Sequence, residues 1–279
     1  MSAKVKQKGP GQVVATNIVC VPFSLVNTYM VATGNDSWVL VDAGLFYSAG
    51  KIMRAAERWF RGAKPSAIIL THGHFDHVGS LKKLVQRWDV PVYAHEAEMP
   101  FLTGKADYPA PDPTVGGGLL ALMSWMFPRK GIDLGNRVQP LPSNGSVPGL
   151  KNWRWIHTPG HSEGHVSFFH DGDKALIAGD AFVTVKQESL TAVITRRQEV
   201  HRPPAYFTPD WEAARRSVQE LAALEPYSAI TGHGVPMSGP RMLRDLQALA
   251  RNFDRVAIPK HGRYVRRPAQ RVPAMPEFA

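Results

Sequence analysis

The 279-residue sequence predicts an α/β fold in which two β-sheets pack face to face and helices cover their outer sides. Three observations carry this expectation. Short apolar runs rich in Val and Ile alternate with stretches of helical period. The order of strands followed by helices occurs twice, once before residue 104 and again after residue 150. With 44% hydrophobic and 20% charged residues, the chain also has ample material for a core.

Taken in order, "GQVVATNIVCVP", "NTYMVAT" and "SWVLVDAG" read as consecutive strands, with a turn at Gly34, Asn35 and Asp36. "SAGKIMRAAERWFRG" has helical spacing, placing Ile52, Ala55, Ala56, Trp59 and Phe60 on one side and Lys51, Arg54 and Arg58 on another. A strand "SAIIL", a helix "VGSLKKLVQRW" and a strand "PVYAH" follow. The second half repeats the scheme with strands "LKNWRWIH", "HVSFFH" and "KALIAGD", then a helix "TPDWEAARRSVQELAAL" capped by Thr208 or Asp210. The strand "SAITGH" and the helix "PRMLRDLQALARNF" complete it. Residues 104–136 fit neither half. Their Pro and Gly clusters bracket an apolar helix candidate, "LLALMSWMF", too short to span a membrane and suited to core packing, a dimer contact or a lid.

Net charge is +10, but its location matters. Lys4, Lys6 and Lys8 at the start and Lys260, Arg263, Arg266, Arg267 and Arg271 at the end supply eight of the 33 basic residues, with Glu277 the only acid there. The body is left with 25 basic against 22 acidic residues, or +3. Basic tails at 1–11 and 259–279 without interleaved aromatics disfavour a nucleic-acid groove. The body at 12–258 is read as one domain. The single cysteine, Cys20, cannot form an intrachain disulfide, which indicates a reducing compartment. The start lacks the apolar core of a signal peptide and no run reaches membrane-spanning length, so the expected setting is cytoplasmic.

Three of the eleven histidines lie in "THGHFDH", residues 71 to 77, directly after "SAIIL". Residues two apart on an extended chain face the same way, so His72 and His74 can direct both imidazoles at one point. Asp76 and His77 follow where a helix begins and project toward a neighbouring point. Two metals would need more ligands than these four, since a zinc ion takes about four. Further candidates stand at downstream strand ends: His161 in "HTPGHSEGH", Asp180 in "LIAGDAF" and His233 in "AITGHG". A lone histidine after a strand is usually a hydrogen-bonding residue and a lone "GD" usually a turn; the conjunction is what points to a metal site.

"THGHFDH", "HTPGH", "AGD" and "TGHG" in this order, with "VDAG" at 41 to 44, resemble the metallo-β-lactamase-fold hydrolases over about residues 12 to 258. The resemblance implies a four-layer αβ/βα sandwich with a binuclear site along one edge. By motif, His72, His74 and His161 would hold the first metal, Asp76, His77 and His233 the second, and Asp180 would bridge them. Asp42 would support the site, and His165 would be structural. Two divalent ions, zinc first and iron or manganese otherwise, would lower the pKa of a shared water from about 15.7 toward about 7, so that a metal-bound hydroxide attacks a carbonyl. Asp76 would also orient the nucleophile and shuttle its proton.

The bridging aspartate is the pattern of glyoxalase-II-like, lactonase-like and tRNA-processing branches and is usually lacking in true β-lactamases. His74 separates the chain from flavodiiron relatives. Val183 stands where homoserine-lactone lactonases often have tyrosine. The expected reaction is hydrolysis of an uncharged or weakly polar carboxylic ester, lactone or thioester. The alternatives are a persulfide-dioxygenase-like mono-iron oxidoreductase and a metal-dependent nuclease or phosphodiesterase. Trp125 and Met126 of the insert, with Thr184 and His201, are the candidate substrate contacts.

Overall fold

The computed structural model describes residues 10–34, 36–273 and 275; the basic residues Lys4, Lys6 and Lys8 of the expected N-terminal tail lie outside them, as do Asn35 of the expected turn and Glu277. Among the described residues, the first sheet has seven strands in chain order: β1 (Gln12–Ala15), β2 (Ile18–Pro22), β3 (Asn27–Gly34), β4 (Ser37–Val41), β5 (Ala67–Ile69), β6 (Val92–Ala94) and β7 (Val138–Pro140). The first four are antiparallel and β4 to β7 are parallel. The second sheet holds six: β8 (Ser146–Val147), β9 (Leu150–His157), β10 (Val166–His170), β11 (Ala175–Gly179), β12 (Ser228–Thr231) and β13 (Met237–Ser238). Only β11 and β12 pair in parallel there.

The strand period of two decides which layer each side chain joins. Ile18, Cys20, Tyr29, Val31, Val39 and Val41 pack between the sheets, against Val166, Phe168, Ile177 and Ile230. Their neighbours Val19, Val21, Met30, Trp38 and Leu40 face outward, into a core shared with α1 (Ala49–Phe60) and, beyond the one-turn α2 (Phe75–Val78), α3 (Leu81–Trp88). On the other side Leu176, Ala178 and Ala229 face a core that takes in Trp211, Val218, Leu221, Met242 and Leu246 of the later helices. Both sheets are therefore covered on both faces, which gives the four-layer αβ/βα sandwich. Cys20 is sealed between the sheets, where burial pushes its thiol up to about 12.

Several elements are finer than their apolar pattern suggests. The first run splits into β1 and β2 at Asn17, which takes a left-handed φ of 61°. The segment after the histidine motif breaks at Gly79, whose backbone lies against Leu45 and Phe46 where a Cβ would collide, leaving α2 and α3 as separate pieces. Downstream come α4 (Met99–Leu102), then α5 (Leu119–Leu122), α6 (Leu190–Thr195), α7 (Trp211–Ala223), α8 (Pro240–Arg251) and α9 (Phe253–Val256). The insert does not make one helix. Its "LLALMSWMF" becomes α5 and a 3₁₀ turn at Ser124–Met126, because Phe127 precedes Pro128 and leaves the helical region. Asp210, not Thr208, caps α7, its carboxylate accepting from Ala213 N at 2.9 Å. No helix among the described residues is long and apolar enough to cross a membrane.

Candidate metal centre

Five strand ends deliver the polar residues to one edge of the sandwich. β4 runs into Asp42 and β5 into segment 71–77; β9 leads to His161, β11 to Asp180 and β12 to His233. Because β4 and β5 are parallel, as are β11 and β12, the carboxyl ends within each pair lie side by side. Ligand-type atoms of His72, His74 and His161 lie within 4.8 Å of one another, as do those of Asp76, His77 and His233. A third group, His72, His77 and Asp180, joins the two. Asp180 Oδ2 is 2.9 Å from His233 Nε2, 3.4 Å from His161 Nε2 and 3.7 Å from His77 Nε2. All seven motif residues thus meet, and Asp180 stands between the two triads.

Buried polar atoms normally find partners. Here His72 Nε2, His77 Nε2, His161 Nδ1 and Asp180 Oδ1 are buried without a hydrogen bond, all within the cluster. Imidazole nitrogens and carboxylate oxygens in this number suit divalent transition metals, so the residues fit such ions. The electrostatics agree. Burial, reinforced by His77, pushes His72 well below the usual imidazole range; burial likewise holds His161 well below it and brings His74 to about 3. These rings are uncharged at neutral pH, and His74 Nδ1 lies 2.9 Å from His161 Nε2. Burial acts most strongly, to lower His77 and His233, but the neighbouring carboxylates together raise both, Asp180 with Asp42 at His77 and Asp180 with Asp76 at His233. Asp180 is driven well below the carboxylate range by His233 and His77, against the opposing effect of its burial.

The rings are aimed from behind. Asp42, at a left-handed φ of 60°, accepts from Thr71 N and Thr71 Oγ1 at 2.8 Å each and bonds His77 Nδ1 at 2.9 Å. Thr71 Oγ1 also meets His72 Nδ1 at 3.0 Å. Both contacts leave the Nε2 atoms for the cluster. His233 Nδ1 bonds the Leu25 carbonyl. His165 Nε2 accepts from Asp180 N at 2.9 Å while its Nδ1 meets Thr158, so neither ring nitrogen is left for a metal. Gly232 passes so close to Asp180 and His77 that a Cβ would collide with the carboxylate.

Glu98 is a part of this apparatus that no sequence pattern singles out. Its buried carboxylate accepts four bonds: Gly73 N at 2.9 Å and the Tyr108 hydroxyl on Oε2, Ser162 Oγ at 2.6 Å and Gly164 N at 3.0 Å on Oε1. It ties the loop between His72 and His74 to the loop after His161. The insert reaches the same place through Tyr108, whose ring lies 4.4 Å from that of His74, with Phe207 4.7 Å away. These aromatics, together with Tyr206, line a cavity of about 260 Å³ into which His74 and His161 face.

None of the four candidate substrate contacts lines that cavity. Trp125 and Met126 are 68% and 49% exposed, carried outward by the broken insert helix. Thr184 is fully buried behind His233, bonded to Thr231 Oγ1 at 2.8 Å and to His233 O at 3.1 Å. His201 pairs its backbone with Val183 and sets its ring 3.9 Å from both Glu188 and Glu199. The cavity is instead lined on part of its wall by the C-terminal segment, whose basic composition suggested a tail.

Residues 21–233 match the family described as the metallo-beta-lactamase superfamily. The chain is 46% identical over 253 residues to "Probable metallo-hydrolase YflN" of Bacillus subtilis (strain 168), covering 90% of this chain and 96% of that protein. It is 30% identical over 209 residues to "Probable metallo-hydrolase YybB" of the same organism, covering 75% and 80%. The crystal structure of TTHA1623 in a di-iron-bound form is similar with a TM-score of 0.56 at 29% identity, covering 84% of this chain and 96% of that one. The B3 metallo-beta-lactamase BLEG-1, at 22% identity and a TM-score of 0.55 over 76% of this chain and 88% of its own, shares the fold.

Proposed function

Because this chain belongs to the metallo-beta-lactamase superfamily, we propose that it is a metal-dependent hydrolase which holds two divalent ions and cleaves a carboxylic ester, lactone or thioester. The observation that carries the reading is the set of four buried, unpartnered nitrogen and oxygen atoms at the meeting point of the two triads. His72, His74 and His161 would hold one ion, Asp76, His77 and His233 the other, and Asp180 would touch both. Zinc is the first candidate, and the di-iron form of TTHA1623 makes iron the next to test. Such ions supply Lewis acidity and a water acidic enough to attack near neutral pH.

The remaining work falls to the chain. Asp76, with 15% of its side chain exposed, is the ligand candidate in reach of solvent and stands 3.6 Å from His233. It orients the attacking water and carries its proton. Asp42 and Thr71 keep His77 and His72 in one orientation through the reaction. Tyr108 and Phe207 cover His74 and keep bulk water from that side. The aromatic cavity beside His74 and His161 receives the apolar part of the substrate. Sealed Cys20, the single cysteine, accords with a cytoplasmic setting.

Elemental analysis of protein purified without chelators, combined with an ester, lactone, thioester and phosphodiester panel, tests the reading. About two metals per chain and turnover confined to acyl substrates are expected. One iron with no second site, or phosphodiester cleavage with every acyl substrate untouched, would sink it.

A further inference from the structure

The cavity beside His74 and His161 has walls from both halves of the sandwich, but its far side comes from the end of the chain. Residues 263–272 are fastened across the body mainly by backbone bonds. Arg263 N donates to Asp112 Oδ2, Tyr264 Oη to Ala110 O at 2.9 Å, Ala269 N to Pro209 O at 3.0 Å and Val272 N to Glu163 Oε2 at 3.2 Å. Arg271 adds an ion pair to Glu163 at 3.9 Å, and Met275 beyond is buried in the core of the first half. The segment therefore bridges the insert, the residues before α7 and the loop that carries His161. Tyr264, Ala269 and Val272 line the cavity, with Gln270 and Arg271 between them. Phe101, Tyr108 and Phe207 line it as well.

We propose that residues 263–272 form the specificity wall of the substrate cavity, restricting the hydrolysed compound to one with a compact apolar acyl group. The proposal rests on the hydrolase reading and deepens it. Size supports compactness: about 260 Å³ falls just below the roughly 300–1,000 Å³ of sites that enclose drug-sized ligands. Lining supports apolarity. Of the carboxylates there, Glu163 is engaged by the segment itself and Asp210 by the start of α7, while Glu96 is exposed to solvent. His95, stacked on His157 at 4.2 Å, is held to about 4 by burial and by His157, so it offers an acyl group no charge at neutral pH.

The test uses the full-length, metal-loaded protein and 4-nitrophenyl esters from acetyl to octanoyl. In a hydrophobic pocket each methylene accepted or refused is worth about tenfold or more in kcat/KM. Wild type should prefer the short esters. Tyr264→Ala should raise the octanoyl-to-acetyl ratio of kcat/KM by about tenfold, Ala269→Trp should lower it by a similar factor, and Tyr264→Phe should keep the wild-type ratio. Melting midpoints verify that each variant is folded. Calorimetric titration with acetate, butyrate and octanoate reads the same wall without turnover. If no ester is cleaved but chain-length dependence of carboxylate binding shifts in Tyr264→Ala and Ala269→Trp, the wall stands and the hydrolase reading falls. Ratios and affinities that stay within about twofold of wild type in both folded variants would overturn the wall.

Discussion

His72, His74 and His161 are buried and uncharged, with Tyr108 against His74 and Glu98 locking the loops that carry them, and His74 and His161 face the cavity. Asp76, His77 and His233 contain a carboxylate open to solvent, and their imidazoles are charged by Asp180 when nothing else balances it. Each triad takes two residues from segment 71–77 and one from the second sheet, so the difference lies in surroundings, not in origin. Where burial and neighbouring imidazoles outweigh the pull of Asp180, 3.4 Å from His161, the rings stay neutral. Where the carboxylates outweigh burial, the rings are charged and a cation has to displace protons. The first arrangement favours permanent occupancy, and the second favours a position that exchanges and does chemistry.

The sharpest way to break this contrast is to remove what the triads share. Asp180→Ala should take both sites apart and lower turnover by about a thousandfold, the several kcal/mol expected of Lewis-acid stabilisation. His233→Ala should cost as much turnover but spare the first ion in metal analysis. Loss of both ions from His233→Ala would show that the triads are not separable.

Glu98→Ala addresses the first triad alone. Four buried donors lose their acceptor, which should destabilise the fold by about 3 kcal/mol and weaken the first site about 10- to 100-fold, while Glu98→Gln recovers part of both. Chemical denaturation and metal titration read these separately. Equal weakening of both sites would remove the assignment of Glu98 to one side.

pH sharpens the comparison further. At neutral pH His74, near 3, and His72 and His161, also lowered, have no proton to lose, so uptake at the first triad should be nearly flat between about pH 6 and about pH 8. His77 and His233 have raised values and carry protons there, so affinity at the second triad should climb with pH as those protons are released. The linkage for the metal-free fold has the same origin. The stability that His77 and His233 contribute is complete below the unfolded value of about 6.5 and is lost as pH rises through their raised values. Calorimetry in buffers of different ionisation enthalpy counts the protons. A second site indifferent to pH would contradict the electrostatic contrast.

The smallest effect is expected at Thr184→Val. Its hydroxyl steadies the loop of His233, but Thr231 Oγ1 holds the same carbonyl at 2.7 Å, so the loss should be about 1 kcal/mol of stability and a few-fold in second-site affinity. A larger loss would mean that Thr184 is the principal brace.

What the sequence made legible follows from periodicity. The apolar runs were legible as strands, and the spacing of His72, His74, Asp76 and His77 was visible, because both are local; which of Ile18 and Val19 faces which layer came from the fold. Short pairings such as β7, β8 and β13 carry too few residues for a period to show. Glu98 was hidden because "HEAEMP" looks like a solvated helix start, and its donors are Gly73, Tyr108, Ser162 and Gly164, residues that only the fold brings near. The C-terminal segment was misleading for another reason. Apart from the Tyr264 hydroxyl and the Arg271 ion pair, its attachments are made by backbone N–H groups, and backbone bonds leave no trace in composition.

That every triad draws on both sheets has a consequence for the whole molecule. An ion seated between segment 71–77 and His161 or His233 is a removable cross-link between the two halves of the sandwich. Its strength is set by mass action: free ion at about a hundred times the dissociation constant adds about 2.7 kcal/mol to stability. On the proposed reading, the edge that holds the ions would also be the clasp of the fold, and its tightness would follow the free-ion supply around it.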